Sequence, residues 1–311
     1  NQFSPETRAI VAEADVILSL DWVDLGGGIR AIKNLPAAPA KVIHCSLDQN
    51  LHNGAHANYM ALPQADVFMA ATTEAVVADL LDALPKGKKD PWRGKLAKKA
   101  KAEDPNRITM GKIATSLRSA FADPDKVTLA GLCRGWPCDL WPFHDSQAYT
   151  GKDGGGGLGS GPGLSVGAAL ALADMGRYAV SVLGDGDFCM GVTAIWTAVR
   201  HRIPLLILID NNRSYFNDEL HQENVAKARG RNPANRWIGL RMEDPLPDIA
   251  KFAQAQGATG IGPVTRGSDV KAALEKGVAV LKQGGVCVID FHVDPGEERV
   301  SAASVGGRKT G

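Results

Sequence analysis

The amino-acid sequence predicts an α/β protein: a parallel sheet with helices on both faces, preceded by a smaller α/β unit. Three observations predict it. The apolar runs at residues 178–183, 205–209 and 286–291 are continuous rather than alternating, as strands covered on both sides require. Helical patterns at 192–200 and 270–281 separate them, the order of a βαβ series. With 311 residues, 44% of them hydrophobic, the chain is long enough to bury a core and to form more than one unit.

In the first 85 residues, Val16–Leu20 reads as a strand, followed by a loop holding Gly26, Gly27 and Gly28. A second strand follows at Lys41–Cys45, a third at 67–70, and then a helix over 74–81. These elements make a partial Rossmann-like unit with too few strands for a whole one. Asp48 follows the second strand, where dinucleotide folds keep a ribose-binding acid, but the glycine run lacks G-x-G-x-x-G spacing and favours a structural role.

Residues 86–108 form a basic linker, with Lys86, Lys88, Lys89, Lys95, Lys98, Lys99 and Lys101 set among Pro and Gly. Trp92 alone interleaves with these charges, so a solvated linker is expected and not a nucleic-acid patch.

The second unit is expected over 109–311. Ile113, Leu117 and Phe121 share a helix face, and 126–130 is the unit's first strand. A polar, aromatic-rich loop spans 133–150, then a glycine tract at 154–163 leads into a small-residue helix at 164–173. A further helix is expected at 252–256.

Bulk properties exclude several classes. A net charge of +1 and a pI near 7.8 give no field to attract nucleic acid or an anionic membrane. No run approaches the roughly 18 apolar residues of a membrane span, and the start resembles no signal peptide, so a cytoplasmic protein is expected. The five cysteines, an odd number in mostly apolar settings, are expected as reduced, buried thiols. Cys133 and Cys138 are close, but no second pair stands at zinc-site distance, so packing is favoured over a metal role.

The residues that carry chemistry are Gly184-Asp185-Gly186 at the end of one buried strand and Asn211-Asn212 at the end of the next. A right-handed crossover opens both strand ends onto one edge of the sheet, so Asp185 and Asn212 converge there. The glycines let backbone approach a bulky anion, and free N–H groups at the following helix start receive diphosphate oxygens. One carboxylate, one amide oxygen and a backbone carbonyl, completed by diphosphate and water, form an octahedral oxygen site suited to Mg²⁺. Either half alone reads as an ordinary turn. The two together, 27 residues apart with strand, helix and strand between, specify a ligand site.

The segment GDGDFCMGVTAIWTAVRHRIPLLILIDNN resembles the thiamine-diphosphate motif of the decarboxylase and acetohydroxyacid-synthase superfamily. Its stretch Ala194-Ile195-Trp196-Thr197-Ala198 and the pair Ile203-Pro204 are most similar to the benzoylformate decarboxylase branch, and the likeness covers residues 110–295. The resemblance implies thiamine diphosphate and Mg²⁺ as cofactors, a 2-keto acid or related carbonyl substrate, and decarboxylation. Acetohydroxyacid-synthase-like carboligation and a non-catalytic cofactor-binding subunit stay open as alternatives.

By the same resemblance, Asp185, the Asn212 side chain and the Ser214 carbonyl would ligate Mg²⁺. Gly186, Asp187 and Phe188 would present backbone groups near the diphosphate, with Gly184 also at the cofactor. Asp187 stands where the family usually has a small residue, and a carboxylate there is repelled by diphosphate unless it turns elsewhere. Leu158 corresponds to the apolar residue beneath the bent cofactor, and the Gly156 carbonyl to the acceptor for its aminopyrimidine; that bend brings the amine to the thiazolium carbon. Gly154, Gly156 and Gly159 formally match G-x-G-x-x-G, but no strand directly precedes them, which disfavours a nicotinamide dehydrogenase.

Arg134 lies where the family places a polar loop at the diphosphate. His144, as proton donor, and Tyr215 are the candidate catalytic residues of the substrate pocket, with His221 a weaker candidate. The family's activating glutamate comes from a separate pyrimidine-binding domain. The chain is expected to start within the central domain and to hold half a site, as a fragment or as a subunit. A pyrimidine-binding domain or subunit would complete it, in a homodimer or homotetramer.

Overall fold

A computed structural model describes residues 5–22, 25–30, 40–47, 65–85, 104–133, 135–141, 143–151 and 157–293. The chain divides into two compact units, residues 1–93 with 302–311, and residues 94–301. Asp48 and residues 86–103 of the expected linker lie outside the described residues.

The first unit runs α1 (Pro5–Ala12), β1 (Val16–Leu20), α2 (Leu25–Arg30), β2 (Lys41–Cys45), β3 (Val67–Met69) and α3 (Thr73–Ala83). Its three strands are parallel in the order β1-β2-β3, with Ile17 opposite Val42 and Ile43 opposite Val67. At the start of α3, Thr72 supplies the cap, its side chain accepting the Ala75 N–H. The glycines expected in a loop lie instead in the short helix α2. Burial of Leu25 offsets the poor helix propensity of Gly26, Gly27 and Gly28, which a local reading of the sequence cannot weigh.

The second unit runs α4 (Met110–Ala120), β4 (Val127–Leu132), α5 (Gly161–Ala173), β5 (Tyr178–Gly184), α6 (Asp185–Gly191), α7 (Ala194–Arg200), β6 (Leu205–Asn211), α8 (Phe216–Ala228), α9 (Ile249–Ala255), β7 (Thr259–Val264), α10 (Val270–Lys282) and β8 (Val286–His292). Five parallel strands form its sheet in the order β4-β5-β6-β8-β7. The expected α/β class and parallel sheet with helices on both faces are what the fold shows.

Both faces of that sheet are apolar because successive side chains of a strand point to opposite sides. Leu206 and Leu208 of β6 pack on one face with Ile113 and Leu117 of α4 and Leu274 and Val278 of α10. Leu205, Ile207 and Ile209 pack on the other with Val166 and Ala169 of α5, Ile195 of α7 and Ile249 of α9. Two cores on one sheet explain why β6 has no polar alternation. At Gly277 the helix α10 sits so close to the sheet that a Cβ would lie 2.7 Å from Ile289 Cδ1.

In the second unit three elements depart from expectation. The helix expected over 192–200 is preceded by a separate helix, α6, that starts at Asp185, so Gly-Asp-Gly runs from strand straight into helix. The edge strand β7, Thr-Gly-Ile-Gly-Pro-Val, has the composition of a turn; an edge position tolerates the missing N–H of Pro263. Helix α8 is unexpected because its apolar residues form no stripe. None of the five cysteines forms a disulfide; Cys45 and Cys287 are buried, but Cys138 is exposed where burial was expected. Among the described residues, no helix is long and apolar enough to cross a membrane.

Candidate functional site

An open cleft of about 340 Å³ lies at the C-terminal ends of β4, β5 and β6. Parallel pairing sets Gly184 of β5 opposite Asp210 of β6, so the two strand ends are level. Each strand therefore delivers its next residues to the same opening, where open α/β sheets bind ligands.

Asp185 is the first residue of α6 and is only 3% exposed. Its Oδ1 accepts the Gly186 N–H at 2.9 Å and its Oδ2 accepts the Ser214 N–H at 3.2 Å. Asn212 Oδ1 accepts that same Ser214 N–H at 3.1 Å. Two oxygens that share one N–H are necessarily close, so the carboxylate and the amide converge. Burial pushes the Asp185 carboxyl up to about 6, with the Asp210 carboxylate adding to the rise and the Gly186 N–H opposing it. A sealed carboxylate beside an amide oxygen, short of positive charge, has the donor chemistry that a hard cation completes.

The strand-end loop carrying Asn212 is itself tied down. Asn211 Nδ2 donates to Asp290 Oδ1 at 2.8 Å, and Asn211 Oδ1 accepts the Arg213 N–H at 3.1 Å. Arg213 holds a left-handed backbone at φ 60°, uncommon for a residue with a side chain. Ser214 Oγ donates to the buried Glu219 carboxylate, and the Tyr215 N–H donates to the Leu240 carbonyl at 2.9 Å. The Tyr215 ring lies against Gly186, where any Cβ would overlap it. Burial, then the neighbouring Cys189 and Asp185, raises the Tyr215 phenol above its ordinary value, so it is a neutral hydrogen-bond donor at physiological pH.

The structure brings Leu158, Gly184, Asp185, Gly186, Asp187, Asn212, Ser214 and Tyr215 to the cleft. Leu158, 53% exposed, presents an apolar surface there. Asp187 turns its carboxylate to the glycine turn beside it: its Oδ1 accepts the N–H groups of Gly159 at 2.6 Å and Gly161 at 3.2 Å.

The expectation for Phe188 concerns its backbone; its side chain does not line the cleft. It is fully buried in the core beneath α5 and α7, because the helix that starts at Asp185 turns it inward. His144 is not there either: its ring is exposed, with Nε2 3.6 Å from Asp125 Oδ1 in an ion-pair geometry. The loop after β4 carries it to the turn at Pro124–Lys126 instead. His221 is exposed on α8 and does not line the cleft. Arg134 and Gly156 lie outside the described residues.

Sequence reasoning missed the buried acids Asp210 and Asp290, which stand behind the Asn pair, and Glu219, which holds Ser214. A signal existed for Asp210 and Asp290. Each interrupts an otherwise apolar strand, and a carboxylate is buried only where partners compensate it. Cys133 Sγ, 3.4 Å from Asp210 Oδ2, was likewise unforeseen at this position. Among the described residues no three His, Cys, Asp or Glu side chains form a metal-holding group. A site of one carboxylate, one amide and one carbonyl falls outside that description.

Several known proteins are similar to parts of this chain. Acetolactate synthase 2, chloroplastic, of Nicotiana tabacum is 27% identical over 170 residues, 53% of this chain and 24% of that protein. Sulfoacetaldehyde acetyltransferase of Alcaligenes xylosoxydans xylosoxydans is 34% identical over 128 residues, 40% of this chain and 19% of that one. Benzoylformate decarboxylase of Pseudomonas aeruginosa is 40% identical over 60 residues, 19% and 11% respectively. The chain thus matches about a quarter or less of the length of these relatives. The thiamine diphosphate-dependent 4-hydroxybenzoylformate decarboxylase of Rhodococcus jostii RHA1 shares the fold, with TM-score 0.65 at 21% identity over 84% of this chain and 45% of that one. The benzoylformate decarboxylase of Polynucleobacter necessarius does so with TM-score 0.64 at 20% identity, over 84% of this chain and 46% of that one. The model of the thiamine pyrophosphate enzyme, C-terminal TPP binding domain, matches residues 130–291, more than half of the chain. That stretch contains the cleft, most of its sheet and the paired Asp185 and Asn212, and the chain belongs to the thiamine pyrophosphate enzyme family through this domain.

Proposed function

We propose that this chain supplies the diphosphate- and Mg²⁺-binding half of a thiamine-diphosphate-dependent 2-keto acid decarboxylase of the benzoylformate decarboxylase type. The convergence of Asp185 Oδ2 and Asn212 Oδ1 on one N–H at the mouth of the cleft carries the reading. In it, Asp185, Asn212 and the Ser214 carbonyl hold Mg²⁺. Gly184 leaves room for the diphosphate, Gly186 presents its backbone to it, and the peptide N–H groups at the start of α6 donate to it. Arg134 and the Gly156 carbonyl keep their expected roles at the diphosphate and the aminopyrimidine. Thiamine diphosphate, when bound, supplies the nucleophilic carbon and the electron sink that loss of CO₂ from a 2-keto acid requires. Leu158 supports its apolar rings, and Tyr215 donates a hydrogen bond from the cleft wall. His144 does not line the cleft of this chain and is given no role in this reading.

The activating glutamate is assigned to a pyrimidine-binding domain or subunit, in a homodimer or homotetramer. Helices α5, α6 and α7, the last two packed on the first, support that reading, because they leave Leu164 exposed at the cleft and Leu170, Met190 and Trp196 exposed on their own surfaces.

Calorimetric titration of the chain with thiamine diphosphate and Mg²⁺ tests the site. Saturable, cation-dependent binding is expected, weakened at least a hundredfold by Asp185→Asn or Asn212→Ala; no cation-dependent binding by the parent chain overturns the reading. The assembled enzyme is then assayed for CO₂ release across 2-keto acids. Binding without turnover identifies a non-catalytic cofactor-binding subunit instead. One observation favours a second reading, acetohydroxyacid-synthase-like carboligation: the acetolactate synthase match extends over 170 residues, against 60 for benzoylformate decarboxylase. Formation of a carbon–carbon bond between two keto acids in the same assay selects it.

A further inference from the structure

We propose that Asp187 is a positioning residue, whose carboxylate clamps the turn over residues 157–161 onto α6 and thereby sets how far Leu158 projects into the cleft. The inference rests on the cofactor site proposed above and adds a residue to it.

The turn enters α5, a helix of 13 residues whose first N–H groups need acceptors. Ser160 occupies the cap position but makes no capping hydrogen bond, because its Oγ donates back to the Gly157 carbonyl at 2.8 Å. Asp187 takes over from another helix. One oxygen accepts from both Gly159 and Gly161, at 2.6 and 3.2 Å, and its negative charge stands at the positive end of α5. The turn is built for this contact. Gly159 has φ +90°, and a Cβ on Gly161 would overlap the Asp187 carboxylate. At the far end of α6, a Cβ on Gly191 would overlap the Gly159 carbonyl and lie 3.0 Å from Pro162 Cδ. Both ends of one short helix therefore grip the segment that holds Leu158.

Two consequences follow. Asp187 stands two residues from Asp185, so the proposed metal ligand and the seat of Leu158 belong to the same turn of helix. The carboxylate is also spent on two N–H groups and a helix dipole, which offsets its repulsion of a nearby diphosphate.

Hydrogen exchange of the peptide containing Gly159 and Gly161, measured in the full chain, reads the clamp without cofactor. Exchange at these amides is expected to quicken at least tenfold in Asp187→Ala and to return toward the parent rate in Asp187→Asn, which keeps an acceptor oxygen. Unchanged exchange in Asp187→Ala overturns the clamp. Affinity for Mg²⁺ with thiamine diphosphate is then compared with affinity for Mg²⁺ with inorganic pyrophosphate. Asp187→Ala is expected to weaken the first about tenfold and leave the second unchanged. Leu158→Ala should do the same, and the double variant should lose no more than either alone. Equal loss for both ligands overturns the positioning role and makes Asp187 part of the diphosphate site itself. If the parent chain binds neither ligand, the cofactor-site reading fails and takes the Leu158 role with it, while the exchange data still judge the clamp.

Discussion

Asn211 Nδ2 donates to Asp290 Oδ1 at 2.8 Å, joining β6 to β8 between two residues that are each 1% exposed. The other Asp290 oxygen lies 3.4 Å from His292 Nε2 of its own strand, so one buried carboxylate faces two partners, of which Asn211 belongs to β6. Asp290→Ala strands the Asn211 amide and is expected to cost about 1–3 kcal/mol of stability in urea unfolding. It should also weaken binding of thiamine diphosphate with Mg²⁺ about tenfold, because the loop bearing Asn212 loses its anchor. Ile207→Ala, on the same face of the same strand but deep in its core, should cost about 2–5 kcal/mol and leave cofactor affinity unchanged in the folded protein. Equal effects of the two variants on affinity would remove any special role for the Asn211–Asp290 bond.

Two glycines should behave in opposite ways. Gly186→Ala forces the Tyr215 ring out of place, so cofactor affinity is expected to fall at least tenfold. Gly277→Ala drives a methyl toward Ile289 Cδ1 and Leu206 Cδ1 under α10, and is expected to cost about 1–3 kcal/mol with affinity intact. Calorimetry and thermal melting of both variants check the contrast.

The thiols should separate by environment. Burial pushes Cys287 up to about 12 and Cys189 up to about 11, while Cys138 is exposed although its thiol is also raised. Only the thiolate reacts, so iodoacetamide at pH 8 should modify Cys138 first and Cys287 only after unfolding. Mass spectrometry of timed aliquots reads the order, and early alkylation of Cys287 would contradict the fold around β8.

Acid should weaken the first unit through His44. Its Nδ1 lies 3.0 Å from Ser19 Oγ in the small parallel sheet, and burial lowers its pKa below the ordinary 6.5, with Asp21 partly opposing. A folded-state value below the unfolded one means that the unfolded chain takes up the proton first. The group's contribution is therefore present above pH about 6.5 and is lost as pH falls through the depressed folded value. His44→Gln should flatten the dependence of thermal stability on pH between 7.5 and 5.5; an unaltered slope would assign the acid sensitivity elsewhere.

Much of the second unit was legible because its strands are long, apolar and β-branched. Residues 205–209 and 286–291 required no tertiary information to be placed in a covered sheet. Helix α6 and strand β7 were not legible, for a common reason: both carry two glycines, joined by Asp in the one and Pro in the other, whose local preference is for turns. Gly260 in β7 is explained by α9, since a Cβ there would overlap the Ala250 carbonyl, a contact between residues that no pattern along the chain displays. His144 had the chemistry of a proton donor, yet the course of the loop placed it beside Asp125.

By itself the sequence determined the sheet class and the pairing of Asp185 with Asn212, because a buried strand, a crossover and a second buried strand leave their ends at one edge. Only the tertiary structure decided what surrounds that pair: Asp290 behind Asn211, Glu219 under Ser214, Tyr215 over Gly186, and Asp187 bent to the glycine turn. Strand order along the chain follows from periodicity, which is local. Hydrogen-bond partners depend on which distant residues packing brings within about 3 Å, and that is settled only when the whole core closes.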